Sequence, residues 1–105
     1  MTVAIELTRE DILDALKRLE PALRAKGIEH LAIFGSRARG DHRQDSDLDV
    51  LVDVESTTSR NELFVAFDAR DLISAELGVQ VDAILRSQLA PRAAKRAADD
   101  ITEVF

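Results

Sequence analysis

Cysteine is absent from this sequence, which excludes disulfides and thiolate metal sites. The sequence also has no apolar run of membrane-spanning length and no charged-then-apolar segment at its N-terminus. Insertion into a membrane and secretion are therefore not expected. A chain without cysteine suits a reducing compartment, so these absences together predict a cytoplasmic protein.

The chain is also short. With 105 residues it fits one domain, residues 1–105, with one modest hydrophobic core. A core and a separate substrate-binding domain together need more residues than this. The composition, 46% apolar and 32% charged residues, is ordinary for a soluble globular protein. We therefore expect a single domain without a separate substrate-binding domain.

Positive charge is scarce, since the net charge is −6. Proteins that bind nucleic acid through its phosphates are usually basic, so strong nucleic-acid binding is not expected. The exception is one stretch in which three arginines are followed directly by three aspartates: Arg37, Arg39, Arg43, Asp45, Asp47 and Asp49. A cationic loop that leads into carboxylates suits a metal–polyphosphate complex. Charge alone, however, favours a solvated loop.

Hydrophobic periodicity predicts an alternation of helices and strands. The predicted elements are, in chain order, a helix over 9–26, strands over 31–34 and 48–54, a helix over 60–77, a strand over 79–85 and a short helix over 91–98. The tail 101–105 fits either a last strand or a docked end. This order predicts an α+β fold, with a small mixed β-sheet and helices packed on one face.

Local signals support the two longer helices. Thr8 and Asp11 form a capping box before the first helix, and Pro21 is expected to kink it or to split off its last turn. In the helix over 60–77, we expect Phe64 and Phe67 on the inner face, in the core. A surface for a partner protein is the alternative for these two phenylalanines.

Aspartates mark the second and third strands. Asp47 and Asp49 are two residues apart, so their side chains point to the same side of the strand over 48–54. Two such carboxylates repel each other unless a cation lies between them, and Mg²⁺ is the usual cation where phosphates complete the ligand shell. If the third strand pairs beside the second, Asp82 joins them, and three carboxylates can hold two metal ions for displacement at phosphorus.

A glycine-serine pair follows the first strand at once. Gly35 allows a sharp turn and a close approach to a ligand, and Ser36 is placed to cap a one-turn helix that ends at Gly40. The start of such a helix binds phosphate oxygens through its backbone N–H groups. Arg37 and Arg39 add positive charge, and a guanidinium can bind phosphate in a bidentate manner.

These pieces form one pattern, in which Gly-Ser-Arg-Ala-Arg-Gly at 35–40 precedes Ser-Asp-Leu-Asp-Val-Leu-Val at 46–52. The pattern resembles the signature of the DNA polymerase beta-like nucleotidyltransferase superfamily. Within it, the chain is most similar to the minimal nucleotidyltransferases of bacteria and archaea, and the resemblance covers nearly the whole chain.

The resemblance implies a role for each matching residue. Gly35 and Ser36 match the positions that hold the β- and γ-phosphates of the nucleotide. Asp47 and Asp49 match the two metal-binding carboxylates. Asp82 matches a third carboxylate, which helps to place a metal and accepts the proton of the attacking hydroxyl. Arg37 and Arg39 occupy supporting positions in nucleotide binding. The implied cofactor is Mg²⁺, as two ions, and the implied substrate is ATP, whose base no residue specifies.

Three functions remain open at this stage. The first, implied by the minimal family, is a magnesium-dependent enzyme that transfers AMP to a hydroxyl of a HEPN-family toxin and thereby acts as its antitoxin. The second is an antitoxin that neutralises the same partner by binding alone. The third, ranked below both, is transfer to a small hydroxylated molecule such as an aminoglycoside. An exposed sheet edge would also allow a homo-oligomer.

Overall fold

The computed structural model describes residues 7–43, 45–56, 61–91, 95 and 98–105. Its helices are α1 (Arg9–Arg18), α2 (Glu20–Ala25), α3 (Ser36–Arg39) and α4 (Glu62–Leu77), and its strands are β1 (Ile28–Phe34), β2 (Leu48–Val54), β3 (Val81–Leu85) and β4 (Thr102–Glu103). A single 3₁₀ turn, Arg86–Gln88, follows β3. The predicted α+β fold with a small mixed sheet is confirmed. The C-terminal helix predicted over 91–98 lies mostly outside the described residues.

The leading helix divides as the sequence predicts. The Thr8 hydroxyl accepts a hydrogen bond from the Asp11 N–H at 3.0 Å, and the Asp11 carboxylate accepts one from the Thr8 N–H at 3.0 Å. This capping box satisfies N–H groups that the first turn leaves unpaired. Pro21 stands at the start of α2, where its missing N–H costs no helical hydrogen bond, and Leu19 separates the two helices.

The sheet has the strand order β3-β2-β1-β4. β1 is antiparallel to both β2 and β4, whereas β2 and β3 are parallel and joined through α4. The last residues of the chain pair along β1, since the Val104 N–H donates to the Leu31 carbonyl at 2.8 Å. The tail is therefore both a short strand and a docked end.

One face of the sheet builds the main core. Val50 of β2 lies between Ile33 of β1 and Ala83 of β3, and the buried residues of this face form one cluster with those of the helices. The fully buried members, from helices and sheet together, are Ile12, Leu16, Leu23, Ile28, Leu31, Ile33, Leu48, Val50, Val52, Val65, Ala69 and Ile73. Burial of this apolar surface is the main force that holds the helices on the sheet.

The opposite face carries the aspartates and a second, smaller apolar layer. Ala32 and Leu51 are neighbours on this face and are both fully buried. β3 and β4 lie at opposite edges of the sheet. Arg86, directly after β3, donates to Asp53 at 3.0 Å and to Glu103 at 2.9 Å, both of which lie on the same face as Leu51.

The orientation of α4 differs from the sequence prediction. Phe64 and Phe67, which we expected in the core, are 62% and 41% exposed. The helix turns smaller residues inward instead, because Ala66 and Ala69 allow a close approach to the sheet, with Val65 and Ile73 beside them. Among the residues that the structure describes, no helix is both long enough and apolar enough to cross a membrane.

Candidate active site

Three strand ends meet at one end of the sheet. β1 ends at Phe34, and β2 and β3 begin at Leu48 and Val81. Asp49 is paired with Phe34 on one side and with Asp82 on the other. Paired residues of neighbouring strands share a face, so Asp49 and Asp82 lie side by side. The pairing of the second and third strands, which the sequence prediction assumed, is confirmed.

Three carboxylates occupy this region, since Asp82 is paired with Asp49 and Asp47 precedes Asp49 by two residues. Burial raises the pKa of Asp49 above its ordinary value, and the negative charges of Asp82 and then Asp47 raise it further. Both effects disfavour the charged form of the carboxyl group. A cation placed among the three groups would reverse the balance, because it favours the ionised carboxylate.

Gly35 is in direct contact with Asp49. Its φ of 77° and ψ of −159° lie in a region open almost only to glycine. A Cβ added at Gly35 would lie 2.5 Å from Oδ2 of Asp49, a distance that real Cβ atoms do not adopt. Glycine is therefore required here twice, once for the backbone turn and once to leave space for the carboxylate.

Ser36 takes a different position from the one predicted. It is the first residue of α3, and Gly35 occupies the capping position before it. The Gly35 carbonyl accepts the Ala38 and Arg39 N–H groups at 3.1 and 3.0 Å. The short helix therefore forms without a side-chain cap, and Ser36 enters it half-buried at the end of β1.

Asp47 lies outside the strand, on the loop that leads into β2, and is exposed. The preceding turn is closed from both sides, since the Arg43 N–H donates to the Ser46 hydroxyl at 2.8 Å and the Ser46 N–H donates to the Arg43 carbonyl at 3.0 Å. The sequence pattern did not predict this role for Ser46. The general preference of serine for turns is the signal that would have suggested it.

Arg37 does not fit the predicted role in phosphate binding. The residue is 2% exposed, and its Nε donates to the Ser46 carbonyl at 2.9 Å. The guanidinium therefore has almost no surface left to offer to a phosphate. The position of Arg37 next to the glycine-serine turn suggested that it binds phosphate. Its side chain instead turns inward, against the loop that carries Asp47.

Arg39 is exposed, and its guanidinium forms hydrogen bonds with acidic neighbours. Its guanidinium donates to Asp41 at 3.1 Å and to Asp100 at 2.9 Å. The hydrogen bonds to Asp41 and then Asp100 raise the pKa of Arg39 above its ordinary value. A nucleotide phosphate would have to compete with these two carboxylates for the side chain.

The three carboxylates are chemically suited to Mg²⁺ but do not form a finished metal site. In the part of the chain that the structure describes, no group of three or more histidine, cysteine, aspartate or glutamate side chains has the spacing of a metal centre. Asp82 is nevertheless paired with Asp49, and Asp47 lies two residues before Asp49 in the chain. Carboxylate oxygens are the ligands that Mg²⁺ prefers, usually with water and substrate phosphates in the remaining positions.

A polar cleft of about 350 Å³ opens beside Asp82, and Arg70, Asp71, Ser74, Gln80 and Val81 complete its lining. It lies along β3, on the side of the carboxylates away from Gly35 and β1. The site is therefore ordered across the sheet, with the glycine-serine turn at β1, Asp47 and Asp49 at β2, and Asp82 with the cleft at β3.

Comparison with known proteins shows the family to which the chain belongs. A family model described as a nucleotidyltransferase domain matches residues 9–103. The protein adenylyltransferase MntA of Thermococcus cleftensis is 33% identical over 99 residues, which cover 93% of this chain and 97% of that protein. The chain belongs to the nucleotidyltransferase domain family. It is an enzyme of the nucleotidyltransferase class, as its sequence motif predicted.

Solved structures agree with this assignment. A structure described as a candidate minimal nucleotidyltransferase is 31% identical to this nucleotidyltransferase, with a TM-score of 0.65 over 86% of this chain and 93% of the solved one. A chain from the complex of a tri-AMPylated HEPN toxin of Shewanella oneidensis with its MNT antitoxin aligns with a TM-score of 0.60 at 11% identity, covering 89% of this chain and 71% of that one. At that identity the second likeness shows the fold alone.

Proposed function

We propose that this nucleotidyltransferase transfers AMP from ATP, with Mg²⁺, to a hydroxyl of a protein partner, a HEPN-family toxin whose action it thereby blocks. The observation that carries the proposal is the arrangement of Asp47, Asp49 and Asp82 beside the Gly35-Ser36 turn. The adenylyltransferase relative, matched over 97% of its length, supports AMP as the group transferred and a protein as the acceptor.

The order of the site across the sheet suits displacement at phosphorus. Because β2 lies between β1 and β3, the turn at β1 and Asp82 at β3 lie on opposite sides of β2. Neighbouring strands are about 4.8 Å apart. In such a reaction the entering and leaving oxygens are opposite each other across the phosphorus. The β- and γ-phosphates would lie at Gly35 and Ser36, and the acceptor hydroxyl at Asp82, where the polar cleft opens.

Each residue has a defined part in the proposed reaction. Asp47 and Asp49 would hold the metal, and bound Mg²⁺ would neutralise charge on the triphosphate and orient it. The acceptor oxygen forms a bond to the α-phosphorus, the bond to the β-phosphate oxygen breaks, and pyrophosphate leaves. Asp82 is exposed next to Asp49 and accepts the hydroxyl proton.

The test is to incubate the protein, its partner and Mg·ATP, and to determine the mass of the intact partner over time. We expect the partner to gain the mass of AMP. In Asp49→Asn the rate should fall by at least about 100-fold, the scale of losing one group that stabilises transition-state charge. Asp53→Asn is the matched control, because it removes a charge from the same face of the same strand at its far end, and it should retain the wild-type rate.

The same experiment separates the alternatives. An unmodified partner with the wild-type protein, or equal modification with Asp49→Asn, would contradict the proposal. If Asp47→Asn combined with Asp49→Asn still neutralises the toxin, the protein acts by binding alone. Transfer to an aminoglycoside in the absence of any partner would instead favour a small-molecule acceptor.

A further inference from the structure

The position of Asp47 poses a structural problem. It is exposed and lies on a loop rather than within β2, yet a metal-binding carboxylate has to be held close to its productive geometry. Its own side chain gains no rigidity from packing. The restraint therefore has to act on the backbone at either side of it.

Two hydrogen bonds supply this restraint, one on each peptide group that flanks Asp47. On the N-terminal side, the Ser46 carbonyl accepts from Arg37 Nε at 2.9 Å. On the C-terminal side, the Leu48 N–H donates to the Gln80 carbonyl at 2.8 Å. The second bond extends the pairing of β2 with β3, but the first depends on one side chain from α3.

Two features of Arg37 suit it to restrain the loop, namely its burial and its position in α3. At 2% exposed, its guanidinium has lost most of its contact with water, and such a buried charge is stable only when it is hydrogen-bonded. It also follows Ser36 directly in α3. The side chain therefore links the turn that begins at Gly35 to the loop that presents Asp47.

We propose that Arg37 is a positioning residue that fixes Asp47 relative to the Gly35-Ser36 turn, so that the metal-binding and phosphate-binding parts of the site keep one geometry. The inference rests on the proposed roles of these residues, and it deepens them. It replaces the phosphate contact that the sequence suggested for Arg37 with an action through the Ser46 carbonyl and the backbone of Asp47.

The experiment measures metal and nucleotide binding separately. Mn²⁺ serves as the metal probe, followed by electron paramagnetic resonance in the presence of a non-hydrolysable ATP analogue, and the affinity for the analogue is also measured without metal. In Arg37→Gln we expect Mn²⁺ affinity to fall about 10-fold, as when other supports of metal ligands are removed, with little change in metal-free analogue binding. Arg37→Lys, which keeps the charge and a donor, should lie between this variant and wild type.

Arg18→Gln is the matched control, because it removes one arginine charge from an exposed position in the last turn of α1, and it should bind Mn²⁺ as wild type does. Loss of metal-free analogue binding in Arg37→Gln with intact Mn²⁺ affinity would overturn the inference, since Arg37 would then contact phosphate itself. Unchanged Mn²⁺ affinity and unchanged analogue binding would overturn it as well.

A measurement on the wild-type protein covers the case in which the Arg37 variants fail to fold. The Arg37 Nε–H should exchange with water much more slowly than the Arg43 Nε–H in a nuclear magnetic resonance experiment. Equal exchange rates would overturn the inference. If the Mn²⁺ and exchange results hold while the partner stays unmodified, only the proposed function fails.

Discussion

At the scale of single residues, Asp49 lies next to the parts of the site on both neighbouring strands. It is paired with Asp82, its carboxylate touches the Cα side of Gly35, and burial and two charges raise its pKa. The alternation of side chains along a strand predicts, from the sequence alone, that Asp47 and Asp49 point the same way. It does not predict the contact with Gly35, because that contact arises only when β1 and β2 pair.

Gly35→Ala should abolish most activity, because the added methyl group meets the Asp49 carboxylate and the backbone conformation is strained by about 1–3 kcal/mol. The matched control is Gly78→Ala, which also introduces strain at a positive φ, of 70°, but has nothing within 4 Å of the added Cβ. We expect both variants to melt at lower temperature, and only Gly35→Ala to lose transfer activity. Equal activity of the two variants would contradict the assigned contact.

Asp49→Asn should stabilise the metal-free protein at neutral pH. The raised pKa of Asp49 means that folding favours its neutral form, so the ionised form costs stability at neutral pH. The cost is fully present above the raised pKa and disappears as the pH falls to the ordinary carboxyl range. Because the half-exposed group is screened by solvent, we expect a gain in Tm of no more than about 4 °C.

Thermal melts without divalent metal, from neutral pH down to about pH 4, test this point. The difference between Asp49→Asn and wild type should shrink as the pH falls. Asp53→Asn should instead lower the Tm, since it removes the negative charge from the ion pair with Arg86 at 3.0 Å. A lower Tm for Asp49→Asn at neutral pH would show that the wild-type carboxylate is stabilising there, against the direction of its pKa shift.

At the scale of elements, strand β2 and the division of the first helix follow from sequence, whereas the orientation of α4 does not. Alternation and proline chemistry are local signals, so they are readable without the fold. In α4, apolar residues occupy nearly every position of the first turns: Leu63, Phe64, Val65, Ala66 and Phe67. Periodicity then leaves the inner face undecided, and the close approach of α4 to the sheet selects alanine rather than phenylalanine.

Two substitutions in α4 test its orientation. Ile73→Ala should lower the free energy of unfolding by about 2–5 kcal/mol, because Ile73 is fully buried. Phe64→Ala should change it by no more than about 0.5 kcal/mol, because Phe64 is 62% exposed. Urea denaturation measures both. A larger loss for Phe64→Ala than for Ile73→Ala would mean that the phenylalanines face the core, as the sequence pattern predicted.

At the scale of the whole molecule, the site depends on contacts between distant parts of the chain. The family signature in residues 35–52 predicts the carboxylates and the phosphate-binding turn. It does not predict the burial of Arg37, the hydrogen bond from Arg39 to Asp100, or the hydrogen bonds from Arg86 to Asp53 and Glu103. These depend on packing between segments far apart in sequence, for which a single sequence carries no local signal.

The measurement that tests the central claim most directly compares ATP labelled at its α-phosphate with ATP labelled at its γ-phosphate. Each is incubated with the protein, the proposed HEPN-family partner and Mg²⁺, and the label on the partner is counted. Transfer of AMP predicts label from the α-phosphate alone, with none in Asp49→Asn. Label from the γ-phosphate, or none from either with the wild-type protein, would contradict a nucleotidyltransferase that acts on its partner.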